Sequence, residues 1–592
     1  MKRVIVVILM LYYVGQLCAQ THNTLSTQSK TKIDSVYAAL MEKYELAGAS
    51  IAIVDQGEIV YSTGYGFADK AAGVVADDQT IYRIGSCSKA FTVLALMQMY
   101  EAGKIDINTP IQNYLPELTI GSRFDPENKI YIRDIMAHTS GLPGDILNGF
   151  FCPKPPSLDW TIAQLNKQTM AFPRHYMHCY SNLGYGLLGK LIAEQSGQSY
   201  ADYIKKNLFD RMQMGDSYIQ KEAGYSLAQG YTTEGVFDEP KIRDEGAGLV
   251  HSNALDMGNF LISLIADGQF KGTQILAPDF QNEMERDQTA NVSLDDDVNV
   301  QWGFGLFKKN VMLESAEDSI SAEIIGHDGA TMVFHADFRY IPELKVGAII
   351  MTNHERGGRI ASATRLLELY LENEKEIKLN FETGNADFSQ NLSPHTEQEI
   401  IGNYAIGPFL MEVKDVNKFS IKPSPIAKII LTKKKDGSGN YSGKAILLGI
   451  IPSKIKNQEF KFVKIDDQMY FKDVKIGYGR ENFQGLKTDF MAIPTSWNAM
   501  LGEYELTADQ YLCEDCPMMD FTGSQLKLKS KKGRLFFELE GASEDTKMKS
   551  YLNIISDNMA VTTGIGRNMG NSFTILENGN LHFHGFEFKK KK

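Results

Sequence analysis

Between Ala90 and Tyr100 the chain reads A-F-T-V-L-A-L-M-Q-M-Y, with apolar side chains on every side of a helical wheel. A helix that is apolar all round has no face to give to water, so it must lie inside a packed domain. Directly before it stands Ser86-Cys87-Ser88-Lys89. Residues three apart share a helix face, which brings the Ser86 hydroxyl and the Lys89 amine together at the N-terminal end of a buried helix. Burial disfavours the charged form of an amine, and a neutral amine beside a hydroxyl is a base beside a nucleophile. The same Ser-x-x-Lys spacing recurs at Ser29–Lys32, Ser453–Lys456 and Ser524–Lys527. Those copies lie in polar, lysine-rich segments, where the amine stays solvated and keeps its proton.

The N-terminus reads as a secretory signal peptide over residues 1–19: basic Lys2-Arg3, a short apolar core from Val4 to Val14, then Leu17-Cys18-Ala19. Cleavage near Ala19 predicts a secreted or periplasmic protein. Cys18 raises lipoprotein anchoring, but the bulky Leu17 before it argues against that. The apolar core is too short for a transmembrane span, and no other stretch is long enough. With 61 basic against 73 acidic residues the net charge is −12, which argues against nucleic acid and anionic membrane surfaces as partners. After the signal, an exported chain allows Cys152–Cys179 and Cys513–Cys516 disulfides and leaves Cys87 as a packed thiol. No second ligand pair accompanies Cys513 and Cys516, so no metal and no cofactor is expected.

A chain of 592 residues is too long for one domain. Residues 20–34 are polar and read as a flexible leader. Over 35–375, a hairpin at Gly48–Tyr65, helical patterns, strands at Ala330–Tyr340 and Lys345–Thr352 and a closing amphipathic helix predict an α+β domain with one sheet and a helical insert. Residues 376–398 read as a linker. Beyond it, short alternating strands carry an internal repeat: Ile400-Ile401-Gly402-Asn403-Tyr404 returns as Met500-Leu501-Gly502-Glu503-Tyr504, and Gly477-Tyr478-Gly479-Arg480 as Gly564-Ile565-Gly566-Arg567. Two all-β modules are predicted, 399–496 and 497–592, each a small barrel.

Two more segments carry chemistry. Tyr180-Ser181-Asn182 precedes an apolar helix; a tyrosinate held near a lysine can serve as a base, and Asn182 can hold a substrate amide. Gly326-His327-Asp328-Gly329-Ala330 reads as a strand entry with close backbone approach, where a strand N–H and the Ser86 N–H can form an oxyanion hole. His138 reads as a structural partner of the Thr139–Pro143 turn, Asp295–Asp297 as a solvated loop, and His582 and His584 as structural positions of a late strand.

Together these segments resemble the serine β-lactamase and penicillin-binding-protein-like family, in particular its class C branch, over residues about 35 to 372. Ile84–Thr92 is similar to the family's first motif, Ile132–Pro143 to a second landmark, and Tyr180–Tyr185 to its Tyr-x-Asn motif. The resemblance implies a β-lactamase/transpeptidase-like fold, Ser86 as nucleophile, Lys89 as base and Tyr180 as proton carrier. It further implies Asn182, His327, Gly329 and Ala330 as substrate-binding positions, the last through its N–H. Two departures stand out. His327-Asp328-Gly329 replaces the Lys-Thr-Gly of true β-lactamases and carboxypeptidases and looks more like the family's esterases and D-aminopeptidases. Pro173-Arg174-His175 replaces a Pro-Gly turn.

The reading is an exported serine hydrolase forming an acyl-enzyme on an amide or ester, with D-amino-acid peptides or small esters as substrates and cell-wall material as a candidate partner. Two alternatives remain open from the sequence: a β-lactamase or D,D-carboxypeptidase, and a non-catalytic ligand-binding or sensing protein on the same fold.

Overall fold

Strand β1 (Gly48–Asp55) carries apolar side chains on both faces, and this alternation sets up a three-layer domain. Ala49, Ile51 and Ile53 enter one core and Ala52 and Val54 the other, as the period of two along a strand requires. The computed structural model describes residues 24–592, apart from 128, 220–226, 291, 295–300, 382–391, 407–408, 425–426, 448–450, 466, 474–481, 508–509, 511–519, 542–546, 566 and 568. Its central antiparallel sheet is built from β1, β2 (Glu58–Asp69), β3 (Val74–Val75), β4 (Gln301–Trp302), β5 (Phe307–Glu314), β6 (Ser319–Ala330), β7 (His335–Ile341) and β8 (Val346–Thr352), in the order β4-β5-β6-β7-β8-β1-β2-β3. The hairpin turn between β1 and β2 has positive φ at Gln56 (49°) and Gly57 (83°), the geometry that matches strand twist.

Helices cover both faces. On one lie α1 (Thr27–Tyr44) and α5 (Ala363–Glu374), which share a core with Ile51, Ile53 and Ile350. On the other lie α2 (Ser88–Glu101), α3 (Asn182–Ser196) and α4 (Ala254–Ile265), in the larger core with Val54, Ile349 and Met351. Helix α2 is buried along almost its whole length, Lys89 included. The long stretch between β3 and β4 supplies the helical insert.

Three sequence expectations change here. The leader expected over 20–34 already contains the start of α1: Ser26 caps it, and Ile33, Tyr37 and Met41, spaced by four, are buried against the sheet. The strand expected over Ala330–Tyr340 is divided, because β6 ends at Ala330 and β7 starts at His335, with Phe334 N–H bonding back to Thr331 Oγ1. His327–Ala330 therefore closes a strand rather than opening one. Lys378–Phe381, within the expected linker, forms β9 and pairs with β5.

Two all-β units follow. The first runs through eight strands from Gly402–Ile406 to Asn482–Lys487 and nearly closes; the second is a closed eight-stranded barrel from Gly502–Leu506 to Phe586–Lys590. The repeat seen in the sequence has one structural meaning in both. Gly402 and Gly502 each adopt φ 149°. A Cβ at either would strike a lysine side chain, Lys487 Cε at 2.6 Å and Lys590 Cε at 2.8 Å. Those lysines donate to Glu399 O and Ala499 O, while Tyr404 and Tyr504 hydroxyls donate to Ile400 O and Met500 O. Residues 477–480 of the second repeated motif lie outside the described residues, as do 1–23 and Cys513–Cys516. No helix among the described residues is long and apolar enough to cross a membrane.

The end of β6 is pressed onto the start of α2. A Cβ on Gly329 would lie 1.9 Å from Ile84 O and 3.0 Å from Ser86 N, both backbone atoms. Gly329→Ala is therefore expected to lower stability by about 1–3 kcal/mol through overpacking, read as an earlier urea midpoint; an unchanged midpoint would mean that the strand slides freely.

Candidate active site

Ser86 sits in a single 3-10 turn, Gly85–Cys87, that runs straight into α2. Gly85 adopts φ 51°, and a Cβ on it would meet Ala330 N at 2.8 Å, so the Ser86 and Ala330 backbones lie side by side. Cys87 points away into the core, its thiol donating to His327 O at 3.3 Å; burial pushes that thiol well above its ordinary range. Cys152 and Cys179 are both buried and are not bonded to one another. Cys152 lies in a short strand pairing with Lys241–Ile242, and Cys179 packs with Ala171, Phe172 and Met177.

Lys89 has no exposure to solvent. Its Nζ lies 3.1 Å from Ser86 Oγ, 2.8 Å from Asn182 Oδ1 and 2.7 Å from Ala247 O. Asn182 is oriented by its other end, where Nδ2 donates to Asp145 Oδ1 at 2.9 Å. Burial, reinforced by the Arg567 cation, holds the Lys89 amine well below the usual lysine range. A neutral amine has two N–H bonds and one lone pair. The carbonyl of Ala247 and the oriented oxygen of Asn182 can only accept, so they take the two N–H bonds and leave the lone pair for the Ser86 hydroxyl.

Tyr180 stands across from Ser86 and is hydrogen-bonded to it; desolvation raises its phenol above the ordinary tyrosine range. It is thus a proton-bearing phenol in the resting site, not the tyrosinate that the sequence alone allows. Its ring lies 4.2 Å from the ring of His138. His138, at φ 58°, accepts the Ser181 N–H at 3.1 Å while its own carbonyl accepts the Cys179 N–H at 2.7 Å. It holds the Tyr180 segment from both sides, a role beyond the turn partner expected from the sequence, and burial holds it neutral by lowering its pKa well below the usual value. The Pro173-Arg174-His175 departure gains a reason: Arg174 pairs with the buried carboxylate of Asp134, and His175 Nε2 lies 2.8 Å from it. That ties the loop before Tyr180 to the Ile132–Pro143 landmark.

His327 is buried, with Nδ1 against Asp328 O at 2.5 Å. A carbonyl only accepts, so Nδ1 carries the proton and Nε2 the lone pair. Burial lowers its pKa to about 4, so the ring is neutral at neutral pH.

These residues line a cleft of about 580 Å³, with Ser86, Tyr180, Asn182, His327 and Ala330 in its wall. The sequence-predicted positions Ser86, Lys89, Tyr180, Asn182, His327, Gly329 and Ala330 are thus gathered at one place. Three residues of the site escaped the sequence reading. Trp302 stacks on His178 with ring centroids 4.2 Å apart. Asp145 is 3% exposed and bonds both Asn182 and Arg567. Arg567 comes from the second barrel. Its place in the repeated Gly-x-Gly-Arg motif marks a turn bearing an arginine, but nothing in the sequence says where that turn points.

The Beta-lactamase family model matches residues 33–371, more than half of the chain. Protein flp of Staphylococcus aureus (strain MW2) is 30% identical over 221 residues, covering 36% of this chain and 43% of that protein. Teichoic acid D-alanine hydrolase of Staphylococcus aureus is 29% identical over 250 residues, covering 40% of this chain and 60% of that protein. The chain thus spans about half the length of the curated relatives it matches. Among solved structures, the octameric penicillin-binding protein homologue from Pyrococcus abyssi aligns with a TM-score of 0.50 at 23% identity, over 76% of this chain and 99% of that one. SurE with D-Leu aligns with a TM-score of 0.54 at 18% identity, over 78% of this chain and all of that one. At these identities the two structures speak to the fold.

The depressed Lys89 pKa has a definite consequence for stability. The folded state binds fewer protons here than the unfolded state until pH exceeds the ordinary lysine value of about 10.4, so this residue's penalty shrinks as pH rises. The stability of Lys89→Met relative to the parent should therefore decline between pH 7 and pH 10, in paired thermal melts. A gap independent of pH would mean that Lys89 is protonated when folded.

Proposed function

The chain belongs to the Beta-lactamase family, and on that premise we propose that it is a serine hydrolase in which Ser86 is the nucleophile, Lys89 the base that activates it, and Tyr180 the proton carrier. The observation that carries this reading is the three-partner shell of Lys89, which leaves the amine's lone pair to Ser86. The Ser86 proton passes to Lys89 as Oγ attacks a substrate carbonyl carbon. The carbonyl oxygen becomes an oxyanion between the Ser86 and Ala330 N–H groups, whose backbones Gly85 and Gly329 allow to lie together; such donors contribute about 10²–10³ in rate each. The proton reaches the leaving group through Tyr180, whose phenol bears its proton in the resting site and regains it from Lys89 as it gives it up. Water then releases the acyl group from Ser86, with the same groups moving the proton in reverse.

The substrate is a D-aminoacyl ester or amide, or a short D-amino-acid peptide. Two things support this: a neutral His327 in place of a lysine at the strand edge, and the similarity to a protein named for D-alanine hydrolysis. The Lys2–Ala19 pattern supports action outside the cytoplasm, with Asn182 and His327 facing a substrate that arrives from the cell surface.

The test is turnover of matched D- and L-alanyl esters and anilides, with a chromogenic cephalosporin in parallel. The D-forms should be preferred by about tenfold or more in kcat/KM, and Ser86→Ala should reduce turnover by at least about 10³ and abolish fluorophosphonate labelling. Equal turnover of the two enantiomers, or hydrolysis of the cephalosporin alone, would overturn the substrate assignment; undiminished labelling of Ser86→Ala would overturn the nucleophile.

A further inference from the structure

Arg567 belongs to the second barrel, yet its side chain stands in the wall of the Ser86 cleft. It is carried by the loop between strands Met559–Thr562 and Ser572–Ile575. That loop is pressed onto the hydrolase domain: Gly570 adopts φ 73°, and a Cβ on it would lie 2.4 Å from Ala171 O. Ile565 and Met569 pack against the cluster of Ala171, Phe172 and Met177. Ser572 Oγ accepts the Thr169 N–H at 3.0 Å, and Thr574 Oγ1 donates to Lys167 O at 2.8 Å. A neighbouring turn of the same barrel holds the other side of the cleft, where Asn148 donates to Gly585 O at 2.9 Å and His584 Nδ1 lies 3.1 Å from Asp145 O. The barrel is seated at two points, and Arg567 lies between them.

The guanidinium sits 5.1 Å from the centre of the Tyr180 ring. Its Nε and Nη2 both donate to Asp145 Oδ2, at 3.1 and 2.8 Å. Among the described residues, the other basic side chains near the cleft have their N–H groups engaged. Lys89 gives its N–H groups to Asn182 and Ala247. Arg243 is buried, with Nε and Nη2 on Asp244 and Nη1 shared between Ile146 O and Asn148 O. Arg567 keeps the two hydrogens of Nη1, and its side chain is 44% exposed, towards the cleft. A planar guanidinium with an open edge recognises a carboxylate through paired N–H donors.

We propose that Arg567 is a specificity residue of this hydrolase: it binds a carboxylate of the substrate, so the second barrel is part of the active site. This rests on Ser86 being the reacting group only in placing the carboxylate within the same cleft. The favoured substrates then carry a free carboxylate close to the scissile bond, as a short peptide with an unblocked C-terminus does. Asp145 keeps the guanidinium in position and, through Asn182, couples it to Lys89.

Equilibrium binding tests this without requiring turnover. The ligands are N-acetyl-D-alanine and its uncharged counterpart N-acetyl-D-alaninamide, titrated calorimetrically into the full chain, Ser86→Ala, Arg567→Gln and Arg567→Lys. The acid should bind the parent about tenfold or more tightly than the amide, and raised salt should weaken only the acid. Ser86→Ala should retain that preference and Arg567→Gln should lose it, with the acid falling to the affinity of the amide. Arg567→Lys should keep part of it, which separates loss of the anchor from loss of the fold. Equal affinities in the parent, absence of acid binding, or a preference that survives Arg567→Gln would overturn the proposal. A preserved preference in a protein that hydrolyses nothing would count against the hydrolytic reading alone. If Arg567 only positions Asp145, Arg567→Gln weakens acid and amide equally, and the proposal fails.

Discussion

A lysine amine sealed from water has to be satisfied by protein atoms, and around Lys89 that requirement organises the site. Its two N–H bonds go to Asn182 and Ala247, and its lone pair is left to Ser86. Asn182 can face the amine with its oxygen only because Asp145 takes its NH₂ group. Asp145, 3% exposed, is a buried carboxylate that would be costly without a cation, and Arg567 supplies one. The shell of a single amine therefore reaches from the start of α2 to the last barrel of the chain.

A further set of contacts fixes Tyr180. Asp134 binds Arg174 and His175 ahead of Tyr180, and His138 accepts the Ser181 N–H behind it. Neutral imidazoles at His138 and His327 add no charge near Lys89; a protonated ring would lower its pKa further, yet would also disturb the acceptor role of His138. Glycine provides the remaining condition. At Gly85 and Gly329 the backbones of α2 and β6 approach more closely than any side chain permits, and that approach aligns the two N–H groups expected to meet an oxyanion.

The positions proposed as catalytic were legible in the sequence because each lies in a short local pattern with an unusual context. Ser86 and Lys89 precede a helix apolar all round, Tyr180 and Asn182 precede another, and His327 and Gly329 stand where two strands of the sheet meet. What was not legible depends on long-range placement. Arg567 and Asp145 are 422 positions apart, and no periodicity in either segment reports that they touch. The first helix was hidden because Thr27–Asp34 is polar on its outward face, with only Ser29 and Ile33 turned inward. The division after Ala330 was missed because the residues of the turn, Thr331–Phe334, are themselves strand formers, and the backbone reversal there is set by the Thr331 side chain. The repeat was visible, and its meaning, a glycine making room for a lysine that caps the preceding turn, needed coordinates.

The central claim is that Lys89 is a neutral amine in the resting protein. The most direct measurement is the titration of the lysine side-chain ¹³Cε resonances in labelled protein, with Lys89→Met used for assignment. One resonance should titrate well below the rest and be missing from the variant. If every lysine titrates together in the ordinary range, Lys89 keeps its proton, its lone pair is not available to Ser86, and the account of the site is wrong.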